Sequence, residues 1–350
     1  MPKTPHPARA RIILALKMAL AFGLLTAVIV LNRQQIGDVL KRRPDVRFFA
    51  LGFVFYLAGL MLAFVRWSFY VRAQGLHFRV RDGLRLGFIA NLFNFVVPGG
   101  PVGGDVVRAA FLCREQARKA QAIASVVLDR FIGILALFLL ACAGGTLAWQ
   151  SLDNRTRRLV VVAWSVSGVV VLILLTMFSP ALYRPLARRF AHRPRLAKRL
   201  HELVATGEAY RTHIGVVIAG LGMALVTHAL IIMSFYFASL ALFPKVPSLA
   251  SHFLIVPLVL VTTAIPLPFG ALGLSEGISA HLFGLAAHPG GAVAMMGFRV
   301  VQYGTAVISA IVYAANIRQV RELAVVAEQL KGEPEGEVPI LPEASASEVA

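Results

Sequence analysis

Long apolar stretches follow one another along this chain, and six of them are long enough to cross a lipid bilayer. A membrane-spanning helix needs about 20 consecutive apolar residues, and each of the six reaches that length. The sequence therefore predicts an all-α polytopic membrane protein. The six expected spans are Ile12–Leu31, Phe48–Val71, Ala120–Ala143, Leu159–Phe178, Ile214–Leu242 and Ala292–Ile317.

Two further apolar stretches, Leu84–Cys113 and His252–Leu285, are interrupted near their middle by prolines and glycines. These residues stop a helix, and the backbone freed in this way must be buried in protein or face a watery cavity. We expect each stretch to form two half-helices as a re-entrant hairpin, with a single broken crossing as the alternative. The candidate hinges are Pro98, Gly99, Gly103, Gly104, Pro268, Gly270 and Gly273.

The charge of the connections indicates the orientation. The connection 184–211 carries eight Lys and Arg residues, which places it in the cytoplasm. Hairpins then put the basic segments 72–85 and 114–119 on the same side, whereas single crossings would put 72–85 outside. Hairpins are therefore preferred, with both termini cytoplasmic in the cell (inner) membrane. The basic segment 33–47 remains outside, against the rule.

The two halves have the same order of elements: span, span, hairpin, span. One half covers about 12–143 and the other about 159–317, and they begin on opposite sides, which is typical of the inverted repeats of transporters. A basic amphipathic cytoplasmic segment is expected at about 184–213. The acidic tail 318–350 is expected to be disordered.

Composition excludes a soluble globular protein: 58% of the 350 residues are hydrophobic and only 15% are charged. Lys and Arg number 35 against 17 Asp and Glu, which suits anionic membrane lipids as partners rather than nucleic acid. The two cysteines have no metal-binding or disulfide spacing, and no cofactor or metal is expected.

Six charged residues stand within apolar surroundings, where each costs about 3 kcal/mol and normally finds a partner. Asp105 and Glu276 open half-helices. Each is expected either to bind substrate or a proton, or to cap its helix. Adjacent residues point about 100° apart on a helix, so Asp129 and Arg130 need other partners. Arg108 or Arg299 suits Asp129, a carboxylate or phosphate suits Arg130, and Glu276 or Asp129 suits Arg299. Arg108 either holds a lipid phosphate or forms a structural pair with Asp105.

Two other polar residues are interpreted as structural. Arg66 stands near the cytoplasmic end of its span, where its side chain is expected to reach the interface. His228 lies in an apolar span and is expected to be a hydrogen-bonded core histidine.

The chain resembles the transmembrane region of lysylphosphatidylglycerol synthases, a flippase-like family with stand-alone members. Three motifs carry the resemblance: Asn94-x-x-x-Pro98-Gly-x-x-x-Gly-Gly-Asp105-x-x-Arg108, then Ser125-Val-Val-Leu-Asp129-Arg130-x-x-Gly133, then Pro266-x-Pro268-x-Gly270-x-x-Gly273-x-x-Glu276. The resemblance covers about Ile12 to Ile317 and implies a lipid-handling membrane unit with re-entrant hairpins. The soluble aminoacyl-transferase domain of the full-length enzymes has no counterpart here, so lysyl-lipid synthesis is not expected.

We therefore expect a lipid flippase or head-group transporter for an anionic or phosphate-bearing lipid, and not an enzyme. The alternatives are a membrane-embedded lipid-modifying transferase component and a membrane scaffold for cytoplasmic lipid-synthesis enzymes. The predicted substrate-binding residues are Asn94, Asp105, Arg108, Asp129, Arg130, Glu276 and Arg299.

Overall fold

The computed structural model describes residues 7–96, 101–115, 119–177, 210–263, 265, 267 and 271–317, and these residues contain helices and no β-strand. The predicted hinges Pro98, Gly99, Pro268 and Gly270 lie outside the described residues. Residues 184–209, which make up most of the predicted basic segment, and the predicted tail after residue 317 also lie outside them.

Eleven α-helices are present in the described ranges. They are α1 (Pro7–Leu31), α2 (Arg33–Arg42), α3 (Val46–Ala73), α4 (Val80–Val96), α5 (Pro101–Glu115), α6 (Lys119–Leu147), α7 (Asn154–Met177), α8 (Ile214–Leu242), α9 (Leu249–Thr262), α10 (Leu274–Leu285) and α11 (Gly291–Ala315).

Five of these helices, α3, α6, α7, α8 and α11, are long and apolar enough to cross a membrane, and they contain five of the six predicted spans nearly end to end. The sixth predicted span, Ile12–Leu31, lies within α1. It passes the same test only together with α2, from which it is bent by 68°. The described residues therefore contain five or six candidate spans. The polar helix α2 was not predicted, because its sequence has few apolar residues.

The two interrupted stretches are broken in the structure, as the prolines and glycines predict. The first consists of α4 with 17 residues and α5 with 15 residues. The second consists of α9 with 14 residues and α10 with 12 residues. All four helices are shorter than the roughly 20 residues that a span requires.

The packing of the second half repeats that of the first. Helix α6 packs on α9, the first helix of the second broken stretch. The corresponding helix α11 packs on α4, the first helix of the first broken stretch. Three further contacts have counterparts in the other half. The contact of α3 with α4 corresponds to that of α8 with α9, and the contact of α5 with α6 to that of α10 with α11. The contact of α6 with α8 corresponds to that of α11 with α3. The long helices α1 and α7 do not follow this correspondence, since α7 packs on α6 whereas α1 packs on α10.

The centre of the fold is the pair α3 and α8, which have the most extensive contact in the described structure. Gly52 lies against Ser234, Gly59 against Thr227, and Gly220 against Tyr70, so the two helices run antiparallel. Glycines at these contacts let the two backbones approach closely, as small residues commonly do between membrane helices. Beside this pair, an aromatic core forms around Phe235, which packs on Phe283 and Phe298 with ring centroids 5.6 and 5.2 Å apart.

The two helices of the first broken stretch, α4 and α5, also approach each other closely. Gly104 in α5 lies so near α4 that a Cβ atom on it would lie 2.5 Å from the carbonyl oxygen of Ala90. By contrast, a Cβ atom on Gly222 in α8 would meet nothing within 4 Å. The two helical glycines are therefore a matched pair for testing this contact.

We expect Gly104→Ala to destabilise the protein by about 1–3 kcal/mol, because the backbone of α4 must shift to admit the methyl group. Gly222→Ala should leave stability unchanged or raise it by up to about 1 kcal/mol, since alanine favours a helix over glycine. Thermal unfolding of both variants in detergent measures the difference. Equal midpoints for the two variants would contradict the close approach of α4 and α5.

Candidate functional site

A buried carboxylate in α6 lies between two arginines. Asp129 is 8% exposed, and its Oδ1 accepts a hydrogen bond of 2.9 Å from Nε of Arg66 in α3. Its Oδ2 lies 3.5 Å from Nη1 of Arg108 in α5. A carboxylate in apolar surroundings requires such partners, because an unpaired charge there is costly. We call Arg66, Arg108 and Asp129 the arginine cluster.

Aromatic rings fix the position of Arg108. Its guanidinium carbon lies 5.1 Å from the centroid of Trp67 and 5.5 Å from that of Phe64. Guanidinium groups are attracted to aromatic faces, and this attraction strengthens where water is excluded. Both rings belong to α3, which also contains Arg66. This helix therefore supplies one arginine of the cluster and the aromatic surface that Arg108 contacts.

Several polar atoms around the cluster are buried without a hydrogen-bond partner among the described residues. Both arginines have such a donor, and His228 of α8 has two such nitrogens. Nε2 of His228 and a terminal nitrogen of Arg66 both lie close to Gly133 in α6, so the histidine belongs to the same region. The unpartnered atoms are Arg66 Nη1, Arg108 Nε, His228 Nδ1 and His228 Nε2.

Two predicted residues connect the first broken stretch to its surroundings. Asp105 in α5 accepts a hydrogen bond of 2.7 Å from Nε of Arg130 in α6. Both side chains of this pair are partly accessible, with 21% and 40% of their surfaces exposed. Asn94 accepts a hydrogen bond of 3.1 Å from the backbone N–H of Gly104, which joins the end of α4 to the start of α5.

The second broken stretch has a corresponding ion pair that is sealed. Glu276 in α10 is fully buried and forms a salt bridge with Arg299 of α11, which is also buried. Glu276 also accepts a hydrogen bond of 2.7 Å from the N–H of Gly273 and one of 3.2 Å from Ser275. Ser275 in turn accepts a hydrogen bond of 2.6 Å from Arg299. The carboxylate therefore ties the start of α10 to α11.

Gly273 occupies a position that only glycine fits. Its φ of 82° is in the left-handed region, which side chains disfavour. A Cβ atom there would also lie 2.5 Å from the backbone nitrogen of Leu25 in α1. Helix α1 therefore covers this turn, which helps to explain why the second ion pair is sealed while the first is accessible.

Comparison with known proteins assigns the chain to a family. Residues 12–310 match the family described as "Lysylphosphatidylglycerol synthase TM region". The chain belongs to this family. A UPF0104 membrane protein of Pyrococcus horikoshii is 21% identical to it over 140 residues, which cover 39% of this chain and 41% of that protein. The alignment thus spans less than half of this relative. No solved structure matches the chain.

All seven predicted substrate-binding residues lie within the region that defines the family, but the structure separates them into groups. Arg108 and Asp129 belong to the arginine cluster, and Asp105 and Arg130 form the accessible pair next to it. Glu276 and Arg299 lie in the other half, and Asn94 bridges the first break. The expected pairing of Glu276 with Arg299 is present, as is that of Asp129 with Arg108.

Two residues that the sequence interpretation set aside belong to the site. Arg66 was expected to reach the interface, but it is 4% exposed and bonded to Asp129, so that expectation was wrong. Its position near the end of a span does not reveal that α4, α5 and α6 cover this part of α3. His228 was expected to be hydrogen-bonded, yet neither ring nitrogen has a partner among the described residues.

Among the described residues, no three His, Cys, Asp or Glu side chains come together. The arginine cluster is instead rich in positively charged groups. Two guanidinium groups share a single carboxylate, and each retains a buried donor without a partner. Such an arrangement offers hydrogen bonds and one excess positive charge to an anion.

The two ion pairs should differ in their effect on stability. We expect Arg299→Gln to cost about 3–5 kcal/mol, because it leaves the buried Glu276 carboxylate without its counter-ion. Arg130→Gln should cost much less, because both side chains of its pair are partly exposed and exposed ion pairs contribute little to stability. Thermal unfolding and yield in detergent measure both effects.

A double variant, Glu276→Gln with Arg299→Gln, serves as the control for the sealed pair. Removing both charges should recover part of the stability, because no buried charge is then left unpaired. An Arg130→Gln protein that unfolds as readily as Arg299→Gln would contradict the difference between the two halves.

Proposed function

We propose that this protein binds and translocates a phosphate-bearing membrane lipid, and that the arginine cluster receives the phosphate group. The observation that carries the proposal is the excess of buried donors around Asp129. Arg66 and Arg108 together carry two positive charges against one carboxylate, and each has a buried N–H group without a partner in the described structure.

The charges of the cluster favour an anion of this kind. Arg130 and Asp105 balance each other, so the group of five side chains keeps one net positive charge. A buried excess charge is costly unless a ligand neutralises it. Guanidinium groups present planar pairs of N–H donors that match phosphate oxygens, and a phosphodiester carries the single negative charge that the cluster lacks.

Asp129 limits how tightly the cluster holds its ligand. Its oxygens are bonded to Arg66 at 2.9 Å and lie 3.5 Å from Arg108, so the contact with Arg108 is the looser one. A phosphate entering beside Arg108 therefore competes with a weak contact rather than a short hydrogen bond. A transport site needs this moderate affinity, because the ligand must also leave.

The repeated packing of the two halves supports translocation between the membrane faces. We infer that the halves form an inverted repeat and that each broken stretch is a re-entrant hairpin. The antiparallel α3 and α8 would be equivalent helices in such a repeat. The packing of α6 on α9 and of α11 on α4 has the same symmetry, because each long helix packs on a short helix of the other half. Inverted repeats with broken helices are common in proteins that alternate access to a central site.

The charge of the connections suggests where the protein works. Basic segments favour the cytoplasmic side, which would place both termini there in the cell membrane. Anionic lipids would then be the principal partners, and a cytoplasmic lipid-synthesis enzyme is a further possible partner. The membrane location itself follows from the family and from the apolar helices.

Substitution of Arg108 tests the proposed site. We expect Arg108→Gln to reduce transfer of a fluorescent phosphatidylglycerol between leaflets of proteoliposomes by at least about tenfold, because a buried charged contact is lost. Thermal stability should fall little, since Asp129 keeps its hydrogen bond to Arg66. Arg108→Lys should recover little transfer, because a point charge replaces the planar group that lies on Trp67.

The matched control is Arg155→Gln, which removes the same charge from an exposed position at the start of α7. Its transfer rate should equal that of the unmodified protein. Normal transfer by a stable Arg108→Gln protein would remove the arginine cluster from the proposal. Empty liposomes and a phosphate-free lipid analogue set the background.

Labelling of single cysteines tests the hairpins. In a background without Cys113 and Cys142, we expect Lys245→Cys and Pro289→Cys to react with a membrane-impermeant reagent from the same side, because they flank one hairpin. Both positions are exposed in the structure. Asp153→Cys should react from that side as well, and the exposed His77→Cys from the opposite side. Reaction of Lys245→Cys and Pro289→Cys from opposite sides would show a single broken crossing instead.

A further inference from the structure

A basic cavity opens at the connection between α3 and α4. It has a volume of about 380 Å³ and is lined by Arg72, Leu76, His77, Phe78 and Arg79. Ligand pockets commonly have volumes of about 300–1,000 Å³, so this cavity is large enough for a phosphate group with part of its ester. Three of its five lining residues are basic and none is acidic.

The backbone around the cavity is held in a defined shape. Nε of Arg72 donates a hydrogen bond of 2.6 Å to the carbonyl oxygen of Phe78, which closes the turn between the helices. Gly75 permits this turn with a φ of 78°. The guanidinium group of Arg72 is thereby held against the turn. Arg72, His77 and Arg79 are all exposed.

An aromatic layer connects this cavity with the arginine cluster. Phe78 lines the cavity and packs edge-on against Trp67, with ring centroids 5.3 Å apart. Trp67 in turn lies 5.1 Å from the guanidinium carbon of Arg108. The cavity and the cluster are therefore separated by two rings.

The distance along α3 is also short. Arg72 follows Arg66 by six residues, and a helix rises 1.5 Å per residue, so the two positions differ by about 9 Å in depth. Arg72 lies in the last turn of α3, whereas Arg66 is buried. A phosphate held at the cavity would thus be roughly one to two helical turns from the buried site.

We propose that this cavity is an outer binding site for the phosphate group, from which the ligand passes the Phe78–Trp67 layer to reach Arg108. The movement of the ligand to Arg108 rests on the proposed function, whereas the binding of a phosphate group at the cavity does not. Basic side chains without a lining acid attract an anion from the surface. The two apolar members, Leu76 and Phe78, offer contact to the ester portion of a lipid.

Trp67 provides a direct signal of binding. Trp149 and Trp164 are both partly exposed, at 40% and 54%, and lie outside the cavity and the cluster. Replacing both with Phe leaves Trp67 as the single tryptophan, since the chain contains three. The purified protein in detergent is then titrated with dihexanoyl phosphatidic acid, with sodium phosphate, and with dioctanoylglycerol as the phosphate-free probe.

We expect the phosphate probes to change the Trp67 emission and dioctanoylglycerol to leave it unchanged. Arg79→Glu should weaken the response to the phosphate probes by at least about fivefold in half-saturating concentration, because a surface charge near the ligand is reversed. The matched control Arg155→Glu, with the same charge change at the start of α7, should stay within about twofold of the unmodified protein.

The source of the phosphate follows from the two probes. A response to phosphatidic acid at far lower concentration than to sodium phosphate identifies a lipid head group, and similar concentrations identify free phosphate; both support phosphate as the ligand. Equal half-saturation in Arg79→Glu and Arg155→Glu, or a response to dioctanoylglycerol, would overturn the outer site.

Failure of this site is distinguishable from failure of the proposed function. Arg108→Gln should reduce lipid transfer as described above, while Arg79→Glu should still raise the half-saturating concentration of the phosphate probes in the Arg108→Gln protein. If Arg108→Gln transfers lipid normally, the arginine cluster is not the destination, whatever the titration shows. If transfer depends on Arg108 but the titration does not depend on Arg79, the outer site is wrong and the cluster remains.

Discussion

The need of one buried carboxylate for a positively charged partner is the constraint on which the first half of this protein depends. Asp129 belongs to α6, Arg66 to α3 and Arg108 to α5, so a single charged group joins three helices. In apolar surroundings none of these charges is tolerable alone, and each holds the others in place. Among the described residues, the cluster has two positive charges and one negative charge, and it is this excess on which the proposed binding of a phosphate rests.

The two halves use one structural device with two outcomes. In each half a carboxylate near the start of the second half-helix bonds to an arginine in the following long helix. Asp105 and Arg130 remain accessible, whereas Glu276 and Arg299 are sealed. Where the pair is sealed it anchors the broken stretch, and where it is accessible it stands beside a cluster with unused donors. The two pairs thus differ in burial, although each consists of a carboxylate and an arginine.

Much of the architecture was predictable from the sequence, because bilayer thickness fixes the length of a span and prolines and glycines mark a break. The pairing of Glu276 with Arg299 was predictable for a similar reason, since isolated charges in apolar segments need a partner. Arg66 and His228 were missed because their role depends on which helices cover them. Distance along the sequence from the end of a span does not reveal that cover. Helix α2 was missed because a polar helix has no apolar pattern long enough to indicate it.

The exchange of helices between the two halves affects how the chain assembles as it is synthesised. Helix α4, the first helix of the first broken stretch, packs on α11, and Asn91 of α4 bonds to Ser309 at a distance of 3.0 Å across 218 residues of sequence. The last long helix must therefore enter the membrane before α4 acquires its final neighbour. Until then α4 lacks part of its protein cover, so the ribosome must complete nearly the whole transmembrane region before the first half reaches its native packing.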